Sequence, residues 1–140
     1  MNKQASTPTR ERDDANHCFV CGPDNPVGLQ VSFRLEEGLC KAEYTASEYQ
    51  CGYDGVTHGG IIFSLLDDVM ANWLFLRGER AYTGKCDIRY REPVATGTRM
   101  LLEGEQLSRK GRFAKMAGRV RHPDDGRVLV EAAATFVVIS

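Results

Sequence analysis

Thr57-His58-Gly59-Gly60-Ile61-Ile62-Phe63-Ser64-Leu65-Leu66-Asp67-Asp68-Val69-Met70-Ala71-Asn72-Trp73-Leu74-Phe75-Leu76 is the stretch that decides the architecture. Its apolar pairs, Ile61-Ile62, Leu65-Leu66, Val69-Met70 and Trp73-Leu74, recur every four residues, which is the spacing of a buried helical face. With Thr57 or His58 at the start and Arg77-Gly78 at the end, the pattern predicts a helix of about 18 residues, roughly 27 Å at about 1.5 Å per residue. Serine and acidic interruptions make the run too short and too polar to span a bilayer.

The two ends of this motif carry different chemistry. Gly59 and Gly60 allow close approach to the backbone, and the first N–H groups of a helix have no intrahelical partner. The aligned peptide dipoles place about half a positive charge there, so an oxyanion forming beside Gly59 or Gly60 would be stabilised. Asp67 lies about 150° from the centre of the apolar stripe, at roughly 100° per residue, and should face away from its own sheet. In water that is an idle surface charge; under a second subunit it is a buried base or nucleophile. Asp68 points about 100° away from Asp67 and is expected to be solvated or paired.

Working outward, Val31 to Leu35 alternates with period two and Cys40 to Thr45 does so less cleanly, with Glu36-Glu37-Gly38 as a turn between them, which predicts a hairpin. After Gly78 the chain reads as four strands, Tyr82 to Arg91, Thr98 to Leu107, Arg112 to Arg121 and Arg127 to Ile139. Their separators, Glu92 to Gly97, Ser108 to Gly111 and His122 to Gly126, are turn chemistry, and an antiparallel meander is expected. Cys18 to Leu29, marked by Gly22-Pro23, Asn25-Pro26 and Gly28, reads as a structured loop. Residues 1–16 are expected to be a flexible tail without a signal sequence, and 17–140 a single domain.

Composition narrows the classes. Of 140 residues, 42% are hydrophobic and 26% charged, ordinary for a globular domain. Lysine plus arginine number 18 against 19 acidic residues, so no global field would draw in nucleic acid or an anionic membrane. Five cysteines, an odd count, predict free thiols and a cytoplasmic location rather than a disulfide framework.

The spacing His58-Gly59-Gly60, six residues, Asp67, within a strand–helix–strands chain of this length, resembles the PaaI-type (4-hydroxybenzoyl-CoA thioesterase-like) branch of the hot-dog thioesterase superfamily. The resemblance covers about residues 17 to 140. Cys18-Phe-Val-Cys-Gly-Pro-Asp-Asn-Pro-Val-Gly-Leu29 and Tyr49-Gln-Cys-Gly-Tyr-Asp-Gly55 are similar to a subgroup of small bacterial thioesterase-like proteins. What it implies is an α+β hot-dog fold, an antiparallel sheet wrapped around one long central helix, assembled as a homodimer or homotetramer with sites at the subunit interface. It implies acyl-CoA thioester hydrolysis without a cofactor, with Asp67 as general base or nucleophile, the Gly59 amide as oxyanion donor and His58 and Gly60 supporting that loop. Thr83 falls where relatives place a hydroxyl, supplied by the partner subunit, that positions the attacking water. Six residues before His58, relatives often carry a polar side chain; here Gly52 stands there, and Gln50 is the substitute nearest in sequence.

Other residues have plainer readings. Arg109, Lys110 and Arg112 form a basic segment able to grip the phosphates of coenzyme A. Cys18 and Cys21, preceded by His17, have metal-knuckle spacing, but a closed structural zinc site needs four ligands and no second cysteine pair follows, so no metal is expected. Cys51 shows no histidine at nucleophile spacing. Trp73 and Phe75 suit either the core or an acyl tunnel. Two rival functions remain: a non-catalytic acyl-CoA-binding or sensing protein of the same fold, and an enoyl-CoA hydratase, whose different Asp and His placement is missing.

Overall fold

The structure, a computed structural model, describes residues 12–140. Helix α1 spans Gly59–Phe75, 17 residues against the expected 18 or so. His58 caps it, its Nδ1 accepting the Gly60 N–H at 2.8 Å. Ile62, Leu65, Leu66, Val69, Met70 and Leu74 are buried against the sheet. Leu65 is fully buried, and truncating it to alanine should cost about 2–5 kcal/mol.

Six strands form one antiparallel sheet: β1 (Arg34–Glu36), β2 (Leu39–Thr45), β3 (Ala81–Tyr90), β4 (Arg99–Lys110), β5 (Phe113–Arg121) and β6 (Val128–Val138). Their order is β1-β2-β4-β5-β6-β3, and α1 lies chiefly across β4 and β5. Contact there is close enough to demand glycine. A Cβ at Gly104 would stand 2.6 Å from the Val69 carbonyl oxygen. The first hairpin closes through Glu37 and Gly38, both at positive φ (55° and 83°), the conformation that two-residue hairpin loops favour.

Three expectations need correction. Only β4, β5 and β6 form a meander; β3 pairs with β6, at the opposite edge from β1. Its chain leaves the far end of α1, and the segment from Arg91 to Thr98 then crosses back beneath the helix start to reach β4. There Val94 is buried and its carbonyl accepts the Thr57 N–H at 2.8 Å. Val31 to Phe33 is not strand, because the Val31 N–H is taken by the Val20 carbonyl at 2.8 Å, tying it to the N-terminal loop instead. Ser108 to Lys110 belong to β4, whose bulge between Gln106 and Ser108 moves the turn to Gly111 and Arg112.

Of the expected 1–16 tail, residues 1–11 lie outside the described residues. Arg12 to Asn16 are tied to the domain: Arg12 Nη1 donates to the Cys21 carbonyl at 2.8 Å, and Asp13 and Asp14 pair with Arg80. All five cysteines are free thiols. Among the described residues no helix is long and apolar enough to cross a membrane.

Candidate functional site

Asp67 sits on the face of α1 turned toward β3. The Thr83 hydroxyl donates to its Oδ1 at 2.5 Å, within the same chain, and no other group of the described residues donates to the carboxylate. Burial pushes the Asp67 carboxyl above its usual range, and the Thr83 hydrogen bond pulls only partly against it. The aspartate read from the sequence as either a surface charge or a buried base is therefore held by one hydroxyl and left with one oxygen uncommitted.

At the start of α1 the two glycines divide their work. The Gly60 N–H is consumed by His58 Nδ1, whereas the Gly59 N–H has no acceptor among the described residues. The Gly59 carbonyl accepts the Tyr90 hydroxyl at 2.7 Å, so β3 steadies the peptide on that side. His58 acts as a cap, and with Nδ1 accepting, its ring proton sits on Nε2. Tyr90 was not singled out in the sequence; nothing in its local pattern links it to a glycine so far upstream.

A cavity of 340 Å³ adjoins this helix end, lined by Tyr49, Gln50, Cys51, His58, Gly60 and Ile61. Gln50 lines it, but its side-chain oxygen is held by the Ser47 N–H at 2.9 Å in a capping box. Gly52 is exposed, and a Cβ there would stand no nearer than 3.7 Å to His58, so the missing side chain reflects sequence and not lack of room.

The basic segment lies elsewhere in the chain. Arg109 pairs with Glu79 at 2.6 Å, just beyond the C-terminal end of α1, while Lys110 and Arg112 are exposed nearby. A helix of this length puts about 25 Å between that end and Gly59. Trp73 and Phe75 are committed to structural contacts: the Trp73 indole donates to the Gly38 carbonyl at 2.9 Å, and Phe75 lies under the Arg12 guanidinium.

The other carboxylate, Asp68, faces the N-terminal loop. Its Oδ1 is 3.7 Å from Cys18 Sγ, and its Oδ2 accepts from the Asn72 side chain at 3.0 Å. Burial pushes Asp68 up to about 7, and the hydrogen bond with Cys18, together with burial and the nearby Asp68 charge, pushes the Cys21 thiol up. Hydrogen bonding from Cys21 holds the Cys18 thiol down near 5. The sequence pattern predicts Asp68 solvated or paired and does not join it to the cysteines, since a helical-wheel position says nothing of a loop 50 residues away.

Comparison with known proteins decides the family. The Thioesterase superfamily model matches residues 54–129, more than half the chain and including the glycines, α1 and β3. The chain belongs to the thioesterase superfamily. A crystal structure of a thioesterase superfamily protein is 30% identical with a TM-score of 0.80, the alignment covering 87% of this chain and 60% of that one. The present thioesterase-superfamily chain thus spans 60% of that relative's length, less than two thirds. A phenylacetic acid degradation-related protein of Ralstonia eutropha shares the fold at 21% identity (TM-score 0.68, covering 78% and 85%). So does a hypothetical thioesterase from Streptococcus pneumoniae solved with coenzyme A, at 19% identity (TM-score 0.72, covering 79% and 86%). No curated protein matches the sequence. The single helix against a six-stranded antiparallel sheet is the hot-dog fold expected from the resemblance.

Proposed function

We propose that this superfamily member hydrolyses acyl-CoA thioesters, with Asp67 as the reacting carboxylate and the Gly59 N–H as the oxyanion donor. The observation that carries this reading is a desolvated carboxylate, oriented by a single hydroxyl, on a helix whose first amide has no acceptor among the described residues. Asp67 either removes a proton from water that attacks the thioester carbonyl or attacks it directly; the carbonyl oxygen gains charge and the C–S bond breaks to release coenzyme A thiol.

Helix geometry adds a constraint. Asp67 is eight residues beyond Gly59, about 12 Å along the axis at about 1.5 Å per residue. The Gly59 N–H must lie about 3 Å from the thioester oxygen, and Asp67 must reach the same carbonyl carbon directly or through one water. One chain does not satisfy this, but two antiparallel helices do, with Asp67 and Thr83 of one subunit meeting Gly59 of the other. The homodimer, or a tetramer built from it, has a natural seam in β3, a ten-residue strand at the sheet edge with mostly exposed residues. The pairing also brings another subunit's basic segment, Arg109, Lys110 and Arg112, into consideration for the nucleotide end of coenzyme A. Five free thiols suit a cytoplasmic location.

The test is coenzyme A release from acyl-CoA thioesters by wild type and Asp67→Asn. One observation favours a second reading, a protein that binds acyl-CoA without cleaving it: Gly52 offers no polar side chain, and Gln50's oxygen is already bonded. That reading predicts thermal stabilisation by acyl-CoA with no thiol released.

A further inference from the structure

We propose that Cys18, Cys21 and Asp68 form a binding site for a divalent metal ion of zinc's class, with Asn72 orienting the carboxylate. The site would tie the N-terminal loop to helix α1. Neither the family match, which begins at residue 54, nor the thioesterase chemistry accounts for the cluster.

The donor atoms converge. The two sulfurs and a carboxylate oxygen all lie within 4.8 Å of one another. With metal–sulfur bonds of about 2.3 Å and metal–oxygen bonds of about 2.0–2.2 Å, a tetrahedral ion holds its sulfur and oxygen ligands about 3.6 Å apart. Cys18 Sγ stands 3.7 Å from Asp68 Oδ1 and 3.9 Å from Oδ2. Two thiolates and one carboxylate are a donor set that a zinc-class ion accepts and that magnesium or calcium, which take oxygen ligands, does not.

The loop is shaped as a knuckle around the first sulfur. The Cys21 N–H donates to Cys18 Sγ at 3.4 Å, and the Gly22 N–H closes the turn on the Cys18 carbonyl at 2.9 Å. A Cβ at Gly22 would fall 2.4 Å from the Cys18 nitrogen and 2.6 Å from both the Asn16 and Cys18 carbonyl oxygens. Only glycine lets the chain fold tightly enough to turn both sulfurs inward.

A supporting shell is present on the helix side. Asn72 is 4% exposed, and its side-chain amide donates to Asp68 Oδ2 at 3.0 Å and lies 3.7 Å from Cys21 Sγ. That leaves Oδ1 as the donor facing Cys18, in the manner of ligands whose second atom is held by an outer partner. Cys18, Cys21 and Asp68 border a 230 Å³ cavity together with Arg12, Asp14, Arg80 and Tyr82, which gives room for a water as fourth ligand. On binding, the thiol protons leave to solvent and two metal–sulfur bonds form, with no change of oxidation state.

The experiment uses the full chain, reduced and stripped of metal by a chelator, then titrated with Co²⁺ and with Zn²⁺ against a chromophoric competitor. The expected result is one ion per chain and a thiolate-to-cobalt charge-transfer band that Zn²⁺ displaces. Cys18→Ser and Cys21→Ser should each abolish the band, Asp68→Asn and Asn72→Ala should weaken affinity about 10- to 100-fold, and Cys86→Ser and Asp67→Asn should keep it. Should the cysteine variants fail to fold, thiol alkylation of wild type decides: Zn²⁺ should slow modification of Cys18 and Cys21 but not of Cys86. The proposal is overturned by a folded wild type that gives no charge-transfer band, by a band that survives loss of both Cys18 and Cys21, or by alkylation rates that Zn²⁺ leaves unchanged. A Cys18–Cys21 disulfide that, once reduced, takes up no metal would overturn it equally.

Discussion

Asp67 and Asp68 are adjacent on one helix, yet they meet different surroundings. Asp67 looks toward the β3 edge, where one threonine hydroxyl holds it; Asp68 looks toward the Cys18–Cys21 loop, where two sulfurs and an asparagine gather around it. A turn of about 100° per residue suffices to give two identical side chains different work. Burial raises both carboxyls, so a raised affinity for protons does not by itself single out the carboxylate proposed to react. The number and kind of partners does.

The largest effect that would break this comparison is on turnover. Asp67→Asn keeps an oxygen for Thr83 to donate to, and should lower kcat by about 10²–10⁴-fold while leaving the fold intact, as judged by circular dichroism. Next comes the amide. Gly59→Pro removes the N–H at a helix position where proline fits, and His58, at ψ 132°, already has the extended backbone a residue before proline requires. Steady-state kinetics should show a loss of about 10²–10³-fold with little change in melting temperature. If the site is shared between subunits, mixing the two inactive variants should restore thiol release, since each hybrid dimer keeps one site with both groups.

The helix was legible because its apolar pairs are a local signal, and the hydrogen-bond cap at His58 follows from the same few residues. The place of β3 was not, because its pairing with β6 depends on the path of the segment from Arg91 to Thr98 under the helix start, which no local periodicity encodes. The Ser108-to-Gly111 turn slipped for a related reason: a bulge in β4 lengthens the strand without a distinctive residue to mark it. In the candidate site, the helix-start pattern leaves Gly59 and Gly60 equivalent and only the resemblance names Gly59; which amide is open follows from the His58 ring, which takes the Gly60 N–H. Asp68, Asn72 and Tyr90 acquire their roles only from distant elements.

Smaller effects sharpen the contrast. Asn72→Ala leaves Asp68 without its amide donor and should cost about 1–3 kcal/mol in chemical denaturation. Asp67 behaves oppositely. Its folded-state pKa lies above the unfolded value, so its contribution favours the folded state at acid pH and is lost as pH rises through the folded pKa. At neutral pH it is a net cost, and Asp67→Asn should melt slightly higher than wild type as activity disappears. The same shift places the acid limb of kcat/KM above the ordinary aspartate value of 3.8. Thr83→Val, which removes the hydroxyl that pulls the pKa down, should move that limb further up.

The most direct test is free-thiol release from aromatic, short-chain and long-chain acyl-CoAs, with protein-thiol blanks, by wild type and Asp67→Asn side by side. The account predicts release by wild type on at least one class and its near-complete loss in Asp67→Asn. Equal rates from the two proteins would contradict it, as would wild type that binds acyl-CoA and releases no thiol.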